Sequence, residues 1–422
     1  MYGDIPNTSV VVQKYGGTSV GSPERIRNVA ARVARQYRAG WRRMAVVVSA
    51  MSGETNRLVA LVRDVNPQAS AKNYDMAVAA GEQVAVALLA AALEGEGVAA
   101  EPFLAWQLGI VTDEAHARAR IRSIRRDKVE TAWAHGRIPI VAGFQGMTED
   151  MEITTLGRGG SDTSAVALGV ALDAAFCEIN TDVDGVYTCD PRIVPAARLL
   201  EEMDYEVALE MASLGSKVLH PRCVELGAKY KLPIVVRNTF TTDDHQRTRV
   251  MTQTTEIESL AVSGVTLDKD VARVTVSGLG SGSVGISELF SVIAQRGINV
   301  DIIVHDKPGM KSEPGRLGFT VAKGDLSATV ETIGQLAKKS AGSGTGASVR
   351  ADTESGLAKV SVVGVGMRSY AGVAGKTFAA LSDAGIQIHM ISTSEIKISC
   401  VIAETDGAKA CQVLHKAFFE NQ

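Results

Sequence analysis

Short, largely apolar runs alternate with longer amphipathic stretches over the first part of the chain. Ser9–Tyr15 (SVVVQKY) and Met44–Ser49 (MAVVVS) are apolar runs of strand length. Between them, behind Ser22 and Pro23, Ile26, Val29, Ala30, Val33, Ala34 and Tyr37 recur at three- and four-residue steps. Ser is a favoured helix N-cap and Pro a favoured first helical residue, so the spacing predicts strand, helix, strand, with the helix's basic residues facing solvent. Strands that are apolar on both faces belong to a parallel sheet covered by helices on both sides, and ligands gather at the carboxyl ends of such strands. The same pattern predicts strands at Gly109–Thr112, Ile138–Phe144, Ala174–Asn180 and Leu232–Arg237, then a polar, hairpin-like stretch, Asn238–Arg249. A first domain therefore closes near residue 250.

Beyond it the chain repeats itself. Gly278 matches Gly364, Gly280 matches Gly366 and Gly297 matches Gly385, at an offset of 86 to 88 residues. Each copy reads strand, glycine loop, helix, strand, then a further strand and helix, which is a ferredoxin-like βαββαβ unit. The boundaries expected are 1–250, 265–345 and 350–422, with Ser340–Ser348 (SAGSGTGAS) a linker without chemistry.

Composition narrows the class of function. The chain has 422 residues, 45% of them hydrophobic, with 44 basic against 47 acidic residues and no long run of either sign. Nothing steers it toward nucleic acid or a membrane surface. No stretch approaches a membrane span in uninterrupted apolar length, and Met1–Ser9 lacks the pattern of a secretory leader. Five cysteines without any CxxC or Cys/His spacing point to reduced thiols, no structural zinc and a cytoplasmic protein.

The candidate chemistry centres on Thr154–Thr163 (TTLGRGGSDT), between an apolar strand and an alanine-rich helix. Three glycines in four positions let backbone N–H groups approach a ligand, and Ser161, Asp162 and Thr163 are N-cap types at a positive helix end. Arg158 adds a fork for a carboxylate, whereas Asp162 repels anions, so the guest is a zwitterion or a metal-phosphate; the alternative is an ordinary turn with a surface arginine. Lys14, at a strand end before Gly16-Gly17, can meet a phosphate. Glu82 lies in the middle of the apolar segment Met76–Leu93, where an unpaired charge costs several kcal/mol, so it is either paired or holds a ligand cation, with Gly81 opening space beside it. Phe144 and Gln145 should border the same cavity. The loop Thr181–Arg192 presents Asp182, Asp184, Asp190, Tyr187 and Arg192, a set suited to ribose hydroxyls, an adenine face and phosphate or magnesium. For Asp184 and Asp190, turn formation beside Gly185 and Pro191 is an equal reading. His220 reads as a packed helix-end residue.

Lys14–Ser19 (KYGGTS), Ser49–Asn56 (SAMSGETN), Thr155–Asp162 (TLGRGGSD), Thr181–Tyr187 (TDVDGVY) and Gly215–Lys217 (GSK), in this order before a doubled C-terminal module, closely resemble the aspartate kinase family over nearly the whole chain. The resemblance implies an α/β amino-acid-kinase fold, a parallel-sheet-centred αβα sandwich, followed by two ACT modules. It implies transfer of the ATP γ-phosphoryl group to the β-carboxylate of L-aspartate, with Mg2+ held mainly through the nucleotide phosphates. By similarity, Lys14 and the Gly16 and Gly17 amides would stabilise the transferring group and Asp162 would organise it. Arg158 would clamp the α-carboxylate of aspartate, Glu82 its ammonium group, and Thr55 and Ser161 its remaining oxygens. Ser49, Thr181, Asp182, Tyr187, Arg192 and Lys217 fall at nucleotide-binding positions. A homodimer or higher oligomer through the ACT modules is implied, and Met251 could begin a separate regulatory subunit.

The sequence also departs from that family. Gly282-Ser283-Val284-Gly285 and His305 replace the usual Asp-Lys-Pro-Gly and Gln of the first module, and Tyr370-Ala371 and Gln387-Ile388-His389 replace residues of the second. Losing one charge-assisted contact to an amino-acid effector costs about 1.5–3 kcal/mol, so weak or altered feedback is expected. Leu104–Gln107 and Cys189 also depart, and ATP should protect Cys189 from alkylation if that thiol lies near the nucleotide. Two other functions remain open at this level: a kinase for another acidic amino acid, and an amino-acid sensor with a degenerate kinase domain.

Overall fold

The computed structural model describes residues 5–216, 218–241, 246–252, 261–278, 283–306, 316–341, 349–368 and 372–420. The chain divides into two compact units, Met1–Thr188 with Arg198–Ile257, and Cys189–Ala197 with Glu258–Gln422. Gly280, Gly282, Tyr370, Ala371 and residues 342–348 of the Gly/Ser stretch lie outside the described residues.

In the first unit, β1 (Val11–Tyr15), α1 (Pro23–Arg38), β2 (Met44–Val48), α2 (Glu54–Val65), α3 (Ala71–Val78) and α4 (Ala80–Gly95) come first. Next are β3 (Ala100–Phe103), β4 (Val111–Thr112), β5 (Ile121–Ser123), α5 (Asp127–Ala134), β6 (Ile138–Ala142), β7 (Gln145–Met147) and β8 (Ile153–Thr155). α6 (Gly160–Ala171), β9 (Phe176–Thr181), β10 (Glu202–Met203), α7 (Tyr205–Ser213), α8 (Pro221–Tyr230), β11 (Ile234–Asn238) and β12 (Arg247–Val250) complete it. The main sheet has the order β10-β12-β11-β9-β1-β2-β6-β3, and β4, β5, β7 and β8 form a smaller sheet. From β11 through β3 neighbouring strands are parallel, and β12 runs antiparallel to β11 as the hairpin-like pattern predicts.

All five residues of β1, β2 and β6 are buried, because α1 and α4 cover one face of the sheet and α6 lies on the other. Ser22 caps α1 as expected, accepting the Arg25 N–H at 3.2 Å. One basic residue of α1 does not face solvent: Arg32 is buried and its guanidinium donates to the carbonyls of Asn238 and Thr239. The segment around Glu82 is not one helix either. Ala71–Gly95 is long and apolar enough, by length and composition alone, to span a membrane. It breaks at Ala79, and α4 buries Ala85, Leu89 and Leu93 in the cluster that also holds Val29 and Val33 of α1.

The second unit contains β13 (Gly264–Ser277), α9 (Ser283–Gln295), β14 (Ile303–Asp306), β15 (Arg316–Val321), α10 (Leu326–Ala341), β16 (Arg350–Val363), α11 (Val373–Asp383), β17 (Ile388–Thr393), β18 (Lys397–Ala403) and α12 (Gly407–His415). Both helices α9 and α11 are followed by a left-handed glycine, Gly297 at φ +71° and Gly385 at φ +70°, which is the physical content of the repeat. The two copies share one antiparallel six-stranded sheet, β14-β15-β13-β16-β18-β17. Each is completed by half a strand from the other: Arg350–Leu357 pairs with the first copy's strand, and Gly264–Asp268 pairs with Lys359–Val363 in the second. Strands of 14 residues reach roughly 45 Å, enough to serve both copies. Residues 189–197, which the sequence pattern groups with the first domain, pack here: Cys189 and Val194 join the core of the second copy, and Gln412 donates to the Ile193 carbonyl at 3.2 Å.

Candidate functional site

The parallel register sets Tyr15 beside Val48 and Asn180, and Val48 beside Ala142, so the loops after β1, β2, β6 and β9 open on one sheet edge. Backbone hydrogen bonds knit them there: Gly16 N–H to the Asn180 carbonyl at 3.2 Å, Ser49 N–H to Tyr15 at 3.1 Å, and Ser52 N–H to Gly17 at 3.2 Å. A Cβ on Gly17 would stand 2.9 Å from the Ala50 carbonyl, so only glycine lets these loops approach so closely. Because the Gly16 amide is committed to Asn180, Gly17 is the one of the two whose N–H donates to no protein group among the described residues.

Lys14, buried near the end of β1, reaches across to α6, where its Nζ lies 2.6 Å from Asp162 Oδ1. Asp162 stands in the first turn of α6, where a carboxylate is favoured by the helix's positive end. That helix starts otherwise than its N-cap residue types suggest. Gly159, left-handed at φ +68°, is the N-cap, and the Thr163 and Ser164 hydroxyls turn back to the carbonyls of Gly159 and Gly160. The loop before it is Gly157 (φ +77°), Arg158 and Gly159, with the Arg158 side chain exposed. Ser161 is buried against Gly143, whose added Cβ would meet the Ser161 hydroxyl at 2.8 Å.

Glu82 is buried at 2% exposure in the first turn of α4. Its Oε1 accepts the Ala50 N–H at 3.0 Å, while Oε2 is buried without a hydrogen-bond partner among the described residues. Desolvation pushes its carboxyl up to about 7, opposed by the Ala50 hydrogen bond. Gly81 does not open space as expected: its Cβ would lie 2.8 Å from that of Ala50, and glycine instead lets α4 press against the β2 loop. Thr55, in the first turn of α2 and half-buried, follows that same loop. One edge thus combines an orphaned buried carboxylate, an exposed guanidinium and a sequestered lysine, which suits a small zwitterion meeting a phosphorylated donor.

The "Amino acid kinase family" model matches residues 9–238, and an "ACT domain" model matches residues 360–418. Aspartokinase from Geobacillus stearothermophilus is 45% identical over 409 residues, and aspartokinase 2 of Bacillus subtilis 44%, each alignment covering 97% of both chains. The chain belongs to the aspartokinase family. Escherichia coli aspartokinase III, solved with aspartate and ADP, superposes with a TM-score of 0.80 at 26% identity, covering 97% of this chain and all of that one. Fold and family therefore agree with the motifs.

The nucleotide-side residues of this aspartokinase are distributed less simply. Thr181 donates to Asp182 at 3.1 Å, and Asp182 is exposed at the sheet edge. Asp184 serves the loop, accepting from Tyr187 OH at 3.1 Å and from Asn238 at 2.9 Å. Burial and Asp184 raise the Tyr187 phenol above its ordinary pKa. Ser49 is half-buried at the start of the β2 loop. Arg192 belongs to the segment grouped with the C-terminal unit and pairs there with Asp190 at 2.7 Å, and Lys217 lies outside the described residues. Cys189, whose alkylation ATP would slow only if the thiol lay near the nucleotide, is buried in that unit's core.

Two residues do more than the sequence reading gave them, and a third, Asp75, escaped it. His220 caps α8, as a helix-end residue should, but its ring also covers Gly159: a Cβ there would fall 2.1 Å from His220 Cγ. Burial lowers the His220 pKa, so the ring covers the loop in its neutral form. Gln145, placed only as a cavity neighbour, donates to the Ala79 carbonyl at 3.1 Å, where α3 passes into α4. Asp75 is fully buried and accepts Thr155 Oγ1 at 2.5 Å. Its only signal was a carboxylate at a helix position that should face the core.

Gly159→Ala combines positive φ with this clash, and left-handed backbone alone costs about 1–2 kcal/mol for a residue with a Cβ. We expect at least tenfold weaker aspartate use and a lowered Tm, read by steady-state kinetics and thermal melting.

Proposed function

We propose that this aspartokinase binds L-aspartate between Glu82 and Arg158 and phosphorylates its β-carboxylate with ATP at the end of β1, giving 4-phospho-L-aspartate. The observation that carries the reading is Glu82, whose buried, unpartnered Oε2 is a ready receptor for an ammonium group. The exposed Arg158 fork takes the α-carboxylate, and Ser161 and Thr55 supply hydroxyls beside it. A carboxylate nucleophile is already ionised at neutral pH, so no general base is needed. Positioning and neutralisation of charge are the remaining tasks. Lys14 exchanges Asp162 for the phosphoryl oxygens as their charge grows, with the Gly17 amide beside it, and Asp162 keeps the ammonium aimed between turnovers. Ser49, Thr181, Asp182 and Tyr187 border the nucleotide; Arg192 and Lys217 are proposed from the motif alone.

Mg2+ needs hard oxygen ligands, and the described residues offer no group of three or more His, Cys, Asp or Glu side chains placed to hold a metal. Exposed Asp182 is a single carboxylate that fits an ion held chiefly by nucleotide phosphates. When bound, the ion supplies positive charge to those phosphates.

For the regulatory half, a cavity of about 760 Å³ on the six-stranded sheet is lined by Arg273, Arg316, Asp352, Glu354 and His389. Both signs of charge suit an amino-acid effector, but Glu354 is already engaged with His389 at 3.1 Å and Arg273 at 3.5 Å. This supports weak or altered feedback by lysine or threonine. A homodimer through the ACT modules and a cytoplasmic setting complete the reading; the five cysteines are free and buried, as reduced thiols are.

The test is hydroxylamine trapping of the acyl phosphate formed from ATP, Mg2+ and aspartate, with glutamate in parallel and lysine or threonine added. Aspartyl hydroxamate with no glutamyl product supports the reading. Hydroxamate from glutamate alone makes it a kinase for another acidic amino acid, and none from either leaves the sensor.

A further inference from the structure

The most heavily bonded buried carboxylate near the site is one the proposed chemistry does not use. Asp75, on α3 and 0% exposed, accepts Thr155 Oγ1 at 2.5 Å and the Ala117 N–H at 2.9 and 3.1 Å, and lies 2.9 Å from His116 Nδ1. Beyond it, His116 Nε2 is 3.5 Å from Glu152, which pairs with Lys72 of α3 itself. The bonds from α3 thus run to the 113–120 loop and to β8, the strand that leads into Gly157-Arg158-Gly159.

Each partner bears on a substrate-facing group. Thr155 is three residues before Arg158 and accepts the Ala119 N–H at 2.9 Å through its carbonyl. The Ala117 carbonyl packs against Gly157, 2.9 Å from where a Cβ would stand. On the other side, the Asp75 carbonyl accepts the Ala79 N–H at 3.0 Å, and Ala79 precedes the helix that bears Glu82. One side chain therefore ties the segment carrying Glu82 to the loop carrying Arg158. Charge-assisted hydrogen bonds in a dry interior are among the stronger ones and hold geometry closely.

We propose that Asp75 is a positioning residue that fixes Arg158 relative to Glu82, and so sets the two-point grip on the amino and carboxylate groups of the substrate. This rests on the reading of Glu82 and Arg158 given above. An asparagine in its place keeps the shape but turns an N–H either toward the donor-only Ala117 N–H, opening that contact, or toward Thr155, whose hydroxyl must then reverse and accept; in both cases the bonds to a carboxylate are lost while the packing stays.

The experiment compares the full-length protein with Asp75→Asn, Thr155→Val and Thr155→Ser, measuring KM for aspartate, KM for ATP and Tm. The expected result is an aspartate KM raised at least tenfold in Asp75→Asn and Thr155→Val, an ATP KM within about twofold, and recovery in Thr155→Ser, which regains the hydroxyl. The Asp75→Asn/Thr155→Val double variant should be no worse than the poorer single one. An unchanged aspartate KM, both KM values rising together, or additive losses would overturn the proposal. If Asp75→Asn does not fold, the Thr155→Val and Thr155→Ser pair decides by the same criteria. Glu82→Gln and Arg158→Ala separate the two levels: if neither raises the aspartate KM the substrate reading fails, and if both do while Thr155→Val does not, only the clamp fails.

Discussion

Lys14→Ala should lower kcat by two to three orders of magnitude while KM for ATP and for aspartate each change by less than about tenfold. The magnitude follows from what the side chain does. Its ammonium is held at the end of a fully buried strand, 2.6 Å from Asp162, with little water to substitute for it. Charge that builds on a transferring phosphoryl group in such a place gains most from a cation already there, and a hundred- to thousandfold loss corresponds to about 3–4 kcal/mol. Lys14→Arg should not restore the rate. A Cβ on Gly16 would already stand 3.2 Å from Lys14 Nζ, so the backbone passes too near for a broad guanidinium. Single-turnover kinetics on both variants, with nucleotide binding measured separately, checks this; weakened ATP binding with normal turnover would make Lys14 a binding group only.

Glu82→Gln should stabilise the free protein at pH 8 and cripple its use of aspartate. Burial disfavours the charged form and pushes the folded carboxyl up to about 7 from its ordinary value of 4.5. The folded chain therefore holds this proton more tightly than the unfolded chain. The stability it confers is complete below pH 4.5, drains away as pH rises toward 7, and amounts to about 3 kcal/mol over that window. Glutamine does not titrate, so the variant escapes the decline, and denaturant melts at pH 5 and pH 8 should show its advantage only at the higher pH. Binding moves the other way. An ammonium partner needs the ionised carboxylate, so the wild-type aspartate KM falls as pH rises through about 7. In Glu82→Gln this dependence is lost and KM rises by roughly 30-fold or more, the cost of removing one member of a buried charge pair. Equal stability at both pH values would remove the basis of the argument.

These two residues also mark how far the sequence could be read. Lys14 was legible because a lysine before paired glycines at a strand end has few structural uses, and the parallel register then placed it as expected. Glu82 was legible as an anomaly, a charge among small apolar residues, but not as a first-turn residue of α4, because the break at Ala79 has no glycine or proline to announce it. Arg192 and Cys189 follow Tyr187 closely in sequence, yet the segment they occupy, 189–197, groups with the C-terminal unit, a division that no local pattern announces.

What the amino-acid sequence determined alone is the set of elements and their chemistry: short continuous apolar runs and three-to-four-residue patterns specify strands and helices locally, and glycine motifs specify loops, because these depend on a residue and its near neighbours. Only the tertiary structure decided which groups share a site. Asp75 and Thr155, 80 residues apart, meet through α3 packing on β8, and Lys14 meets Asp162 across the face of β1 and α6. The two C-terminal copies likewise exchange strand halves. Such pairings are fixed by burial and by hydrogen-bond satisfaction summed over the whole chain, so no local pattern encodes them.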